Sequence, residues 1–161
     1  MKILVISDTH GFHGNLEKVL ETEKDFEYVL HLGDTEGWDP IIMDLFDVPI
    51  EFVAGNCDWA SDNPSEKIVT LVGVSVFMTH GHEFYVSTRT DILHDHVKSC
   101  GCQVALYGHT HRPDITEEDG ILIANPGSIS RPRQFDHMPS YGILTIDENG
   151  HVDFEVKYLE E

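Results

Sequence analysis

The chain has 161 residues, enough to bury a hydrophobic core, and reads as one domain over 1–161. A hydrophobic content of 40% with 13 Gly and 7 Pro excludes wholesale disorder. With 29 acids against 10 bases the formal charge is -19, which argues against coating nucleic acid or docking on anionic membranes unless a local feature reverses the sign.

Cys57, Cys100 and Cys102 make an odd set, and the last two stand too near in sequence for an unstrained disulfide. That pattern fits a reducing cytosol better than a secreted scaffold. The opening apolar run Ile3-Leu4-Val5-Ile6 is too short for a signal-peptide core or a membrane span. A soluble cytoplasmic protein without membrane contact is the expectation.

The first third alternates strand and helix signals. Lys2 to Ser7 is a continuous apolar run, as in a strand buried on both faces. Leu16, Val19 and Leu20 follow at helical spacing. Glu27 to Leu32 reads as a second strand ending at Gly33-Asp34. Ile41, Ile42, Leu45 and Phe46 suit a helix, and Pro49 to Val53 a third strand ending at Gly55-Asn56. This β-α-β-α-β order implies parallel pairing with right-handed crossovers. Beyond it, 67–72 and 74–78 read as strands joined at Gly73, Thr88 to Cys100 as a helix, and Gln103 to Tyr107 as a strand. Asp119-Gly120 and Glu148-Asn149-Gly150 are hairpin signals, the latter joining Tyr141–Ile146 to Val152–Tyr158. The fold class is α/β, parallel at first and hairpin-rich later.

The polar residues fall in a pattern relative to those strands. Asp8 and His10 follow the first, Asp34 the second and Asn56 the third; His80 follows 74–78, and His109 with His111 follow Gln103–Tyr107. Ligands of open α/β sheets gather at the carboxyl ends of the strands. Each motif alone has an ordinary explanation as a turn or a solvated loop, but their joint placement at five strand ends does not. Carboxylate, amide and imidazole donors together suit Mn, Fe, Ni, Co or Zn. Seven donors exceed the three or so that a single catalytic metal takes, and suit two ions roughly 3.5–4 Å apart sharing a carboxylate, assigned to Asp34. His13, His31, His94, His96, His137 and His151 are expected as surface or core residues. His82, beside His80, could contact substrate.

At these residues the sequence resembles the calcineurin-like metallophosphoesterase superfamily. The matching elements are Asp8-Thr9-His10, Gly33-Asp34, Gly55-Asn56-Cys57-Asp58, Thr79-His80-Gly81-His82 and Gly108-His109-Thr110-His111. The compact size and Asn125-Pro126-Gly127-Ser128 resemble its small prokaryotic phosphodiesterase branch. The resemblance implies two mixed β-sheets packed as a sandwich and flanked by helices. It implies one metal on Asp8, His10, Asp34 and His111 and a second on Asp34, Asn56, His80 and His109. Both are divalent, with manganese placed ahead of nickel, iron, cobalt and zinc. A hydroxide bridging them would attack a small or activated phosphate ester.

Many superfamily members carry a histidine directly after the metal-binding Asn, where this chain has Cys57. A thiol is a poor hydrogen-bond donor, so Asp58 or His82 becomes a substitute proton donor. Arg131 and Arg133, two of four arginines in an acidic chain, are candidate phosphate-holding residues. Two other functions compete: a nuclease, disfavoured by the charge, and a protein-interaction scaffold, disfavoured by retention of all seven donors. The apolar late strands leave room for a homo-oligomer.

Overall fold

Alternate residues of the first strand, β1 (Lys2–Ile6), serve two different cores. Ile3 and Val5 pack into a cluster that also holds Val76, Met78, Val104 and Leu106, while Leu4 and Ile6 pack against Leu16, Val19 and Ile42. A strand needs a continuous apolar run when both its faces are covered, and Ile3 to Ile6 are fully buried. The computed structural model describes residues 1–159; positions 160 and 161 of the expected domain lie outside them.

Helix α1 (Gly14–Thr22) returns the chain to β2 (Tyr28–His31), and α2 (Asp39–Asp44) leads to β3 (Ile50–Phe52). β1–β2 and β2–β3 pair in parallel, as the alternation predicts. Next come β4 (Glu66–Leu71), β5 (Val74–Thr79), α3 (Asp91–Ser99), β6 (Val104–Leu106), β7 (Pro113–Glu118) and β8 (Ile121–Pro126), then the hairpin β9 (Ser140–Ile146) and β10 (Val152–Tyr158). The sheets run β10-β9-β1-β2-β3 and β4-β5-β6-β8-β7. Both are mixed: β5, β6 and β8 are parallel, and hairpins fill the edges. One core lies between the sheets, and an outer core covers each sheet's other face. The expected helix-flanked sandwich is the fold observed.

Helix α3 starts at Asp91 rather than at the expected Thr88. A 3-10 turn at His82–Phe84 and Tyr85 at φ 57° hold the preceding segment in a different hand, with the Thr88 and Arg89 N–H groups both bonded to Tyr85 O. The hairpin of β4 and β5 also surprises. It turns on Val72 (φ 51°) and Gly73 (φ 78°), a left-handed pair for which a β-branched residue is a poor predictor.

Glu23, at the end of α1, ties the helix to the first sheet. Lys2 and Lys157 donate to its two oxygens at 2.9 and 2.7 Å, and the Tyr141 hydroxyl adds a bond of 2.9 Å. Burial works to raise its carboxyl, but the Lys157, Lys2 and Tyr141 bonds outweigh burial and hold it at about 2. A depressed carboxyl contributes stability above its unfolded value of about 4.5, lost as the pH falls toward 2. Glu23→Gln should therefore cost roughly 1–2 kcal/mol at pH 7, after allowance for solvent screening near the surface. The difference from wild type should vanish in urea titrations near pH 2.

Candidate metal centre

The backbone bends sharply where the strands end. Asp8, His10, Asp34, His109 and His111 all take positive φ, between 46° and 69°, a region that non-glycine residues enter at a cost. Hydrogen bonds hold them there: Asp8 N–H donates to Gly33 O at 3.0 Å and His10 N–H to Asp34 O at 2.9 Å. The loops after β1 and β2 are thus laced together. Glycines permit the close approach. A Cβ on Gly55 would collide with Asp34 Oδ1, and one on Gly108 with Ser7 Oγ and Asp8 Oδ2.

The side chains then converge. Donor atoms of Asp8, His10, Asp34 and His111 all lie within 4.8 Å of one another, and all four residues are buried. His111 Nε2 is 3.1 Å from Asp8 Oδ1 and 3.2 Å from His10 Nε2. His80 Nε2 faces Asp34 Oδ2 at 3.3 Å and Asp8 Oδ1 at 3.8 Å. The His109 ring is 5.2 Å from that of His80, and His82 stands 5.5 Å from His80 on the same side.

Asp8, Asp34, His10, His80 and His111 each spend one polar atom on the fold and turn the other inward. Asp8 Oδ2 accepts from Ser7 Oγ (2.6 Å) and His109 N–H (3.2 Å), and Asp34 Oδ1 accepts from Cys57 N–H (2.9 Å). His80 Nδ1 binds Leu32 O (2.7 Å), His111 Nδ1 binds Arg131 O (2.6 Å) and His10 Nδ1 binds Glu36 Oε1 (2.6 Å). A ring whose Nδ1–H donates outward presents its Nε2 lone pair to the centre, the arrangement that orients imidazole ligands. Asp8 Oδ1 and His80 Nε2 are buried without any hydrogen-bond partner. Buried orphan atoms are costly, and a cation among them satisfies both. Burial works to raise the Asp8 and Asp34 carboxyls, yet the imidazoles of His111 and His80 outweigh it and hold both below the usual range. The donors present fit a divalent ion.

The remaining expected site residues are placed as follows. Asn56 is exposed, with its amide nitrogen 3.4 Å from Cys57 Sγ. Burial, reinforced by the Asp34 charge, pushes the Cys57 thiol up to about 11. Burial also lowers His82, with His80 adding to the effect. Asp58 is engaged on both oxygens. Its oxygens accept the N–H groups of Asp34, Glu36 and Gly55, each at 2.7 Å, with Thr35 Oγ1 at 3.3 Å. Both oxygens serve as acceptors, so Asp58 clamps the loops after β2 and β3. Arg131 and Arg133 are exposed; the first reaches Glu36 at 4.0 Å, and the second donates its N–H to His111 O at 3.0 Å.

His31 is a core histidine, bonded to Thr9 Oγ1 and the Gly33 N–H and lowered by burial to about 4. Asn125 and Ser128 are fully buried supports: Asn125 Nδ2 donates to Gly108 O (3.0 Å), and Ser128 Oγ donates to Asp8 O (2.9 Å). Glu36 escaped the sequence reading; its only signal is its place two residues after Asp34, in the same turn.

A helix-flanked double sheet with a buried carboxylate–imidazole cluster at its strand ends defines a metallophosphoesterase. The model of the calcineurin-like phosphoesterase superfamily domain matches residues 1–149, and the chain belongs to that superfamily. Phosphodiesterase MJ0936 of Methanocaldococcus jannaschii is 30% identical over 166 residues, covering 92% of this chain and 95% of that protein. Among solved structures, a predicted phosphoesterase from Streptococcus pneumoniae has a TM-score of 0.79 at 27% identity, covering 98% of this chain and 97% of that one. Zinc-complexed Vps29 from Entamoeba histolytica shares the fold, with a TM-score of 0.75 at 21% identity over 98% of this chain and 99% of that one. The chain is a metal-dependent phosphoric ester hydrolase. Among the described residues, no helix is long and apolar enough to cross a membrane.

Proposed function

We propose that the chain is a dinuclear phosphodiesterase acting on small or activated phosphate esters. The observation that carries this reading is the division of labour within each carboxylate, which leaves Asp8 Oδ1 and Asp34 Oδ2 facing a shared group of imidazoles. Asp8, His10, Asp34 and His111 would hold one cation and Asp34, Asn56, His80 and His109 the other, with manganese the leading ion. Bound there, two divalent cations supply an activated water and positive charge for the phosphoryl oxygens. That charge also answers the repulsion expected between a phosphate and a chain of -19.

The protein's own groups do the rest. Glu36, Leu32 O and Arg131 O orient the three rings. The Arg131 guanidinium, exposed at the rim, takes a phosphoryl oxygen; Arg131→Ala should raise KM several-fold, and unchanged kinetics would remove that role. Cys57 remains a neutral thiol at pH 7, so it is neither a ready nucleophile nor a strong proton donor. Rates should therefore fall steeply as the leaving-group pKa rises across a series of aryl phosphodiesters. A flat dependence would reveal an efficient general acid.

The deciding experiment uses chelator-stripped protein, assayed on bis(p-nitrophenyl) phosphate and p-nitrophenyl phosphate as each ion is returned. Hydrolysis of the diester restored at two ions per chain supports the reading. Absence of hydrolysis with every ion would favour an assembly role, which the likeness to Vps29 keeps in view. A nuclease is disfavoured by the net charge.

A further inference from the structure

Beside the metal centre, the segment 86–90, the loop 107–114 and Arg133 border an open cavity of about 550 Å³. Arg89, Arg112 and Arg133 line it, three of the four arginines in the chain. Their charges are not all neutralised by neighbours. Asp91 grips Arg89 through both of its oxygens along one guanidinium edge, and Asp114 is engaged by the Tyr107 hydroxyl at 2.9 Å. Arg112 and Arg133 have no carboxylate partner among the described residues. Arg112 Nε donates to Arg133 O at 3.1 Å, which fixes the guanidinium plane and leaves its terminal nitrogens free. The lining hydroxyls of Ser87 and Thr90 also make no hydrogen bond among the described residues.

The wall of this cavity is continuous with the metal-binding loop. Thr110 lies between His109 and His111, and the Arg133 N–H is bonded to His111 O. Planar, forked cations backed by hydroxyls recognise phosphate oxygens, and a positive hollow on a negative surface focuses anions toward itself. The scissile phosphate already has the metal cluster to neutralise it, so these arginines address a different anion.

We propose that the cavity binds a second phosphate of the substrate, so that the preferred ester carries a phosphoryl group beyond the one cleaved. This rests on the phosphodiesterase reading and narrows it. Two measurements test it. The first is calorimetry of inorganic pyrophosphate into chelator-stripped protein at low salt, with Arg131→Ala run beside it to report any binding at the metal rim. Uptake weakened at least tenfold by Arg112→Ala, and partly restored by Arg112→Lys, is the expected result. No uptake, or uptake indifferent to Arg112, overturns the site.

The second compares the p-nitrophenyl ester of thymidine 5′-phosphate with and without a 3′-phosphate, using metal-loaded protein. The 3′-phosphate should raise kcat/KM by about tenfold in wild type, and the ratio should fall to about one in Arg112→Ala. A wild-type ratio of one overturns the substrate assignment and leaves a site for free anions. Failure to cleave either ester, with Arg112-dependent pyrophosphate uptake intact, would instead remove the phosphodiesterase reading.

Discussion

Asp34→Asn is expected to cut turnover of an aryl phosphodiester by about a thousandfold, or ~4 kcal/mol of transition-state stabilisation. On the proposed dinuclear reading, bound metal should fall from two ions per chain to one or none. The substitution keeps the shape, and its amide oxygen can still accept the Cys57 N–H that Asp34 Oδ1 now takes at 2.9 Å. What it removes is the charge on the oxygen facing His80 and His10 at 3.3 and 3.7 Å. Metal content by elemental analysis, measured beside kcat, separates this from misfolding. Two tightly held ions with near-normal turnover would show that Asp34 bridges nothing. A pH signature comes with it. The Asp34 carboxyl lies below its ordinary value, so it stabilises the metal-free fold at neutral pH and ceases to do so as acid protonates it. The variant's stability deficit without metal should therefore shrink on acidification.

Gly108→Ala should be nearly as damaging without touching a donor. Its Cβ would fall on Ser7 Oγ and 2.9 Å from Asp8 Oδ2, inside a fully buried strand end. Overpacking of this kind costs typically 1–3 kcal/mol, and relief requires Asp8 to move away from the imidazoles. Denaturant unfolding should show a loss of about 2–3 kcal/mol, with activity lower by at least a hundredfold. Gly14→Ala is the matched control. Nothing lies within 4 Å of a Cβ there, so the exposed start of α1 should be unchanged or slightly more stable. Equal behaviour of the two variants would refute the steric account.

The strand ends were legible because apolar runs stop abruptly at Ser7, Gly33, Gly55 and Gly108, and a change from apolar to polar marks where a buried strand reaches the surface. The order of the sheets was not. β9 pairs with β1 across more than a hundred residues, and no local pattern encodes that partner. Within the site, residue type revealed the inward-facing donors, since Asp and His at strand ends are conspicuous. Their supports carry no such mark. Asp58 looked like a spare acid beside Cys57, but four donors from two loops make it a clamp. Glu36 resembled any exposed acid of a negative chain until the fold set it 2.6 Å from His10. The left-handed backbone at five of the seven candidate donors was equally hidden, because side-chain type does not announce a dihedral angle imposed by distant contacts.

Asp8, His10 and Asp34 extend from the sheet of β1 and β2, whereas His80, His109 and His111 extend from that of β5 and β6. A cation gripped by both sets would act as a rivet through the rim of the sandwich. Loading and mechanical cohesion then become a single variable. Stripping the rivet would leave the charged groups of the two sheets facing one another across the rim, held only by the hydrogen bonds of each loop, so the empty rim should loosen along the same geometry it needs to be filled again.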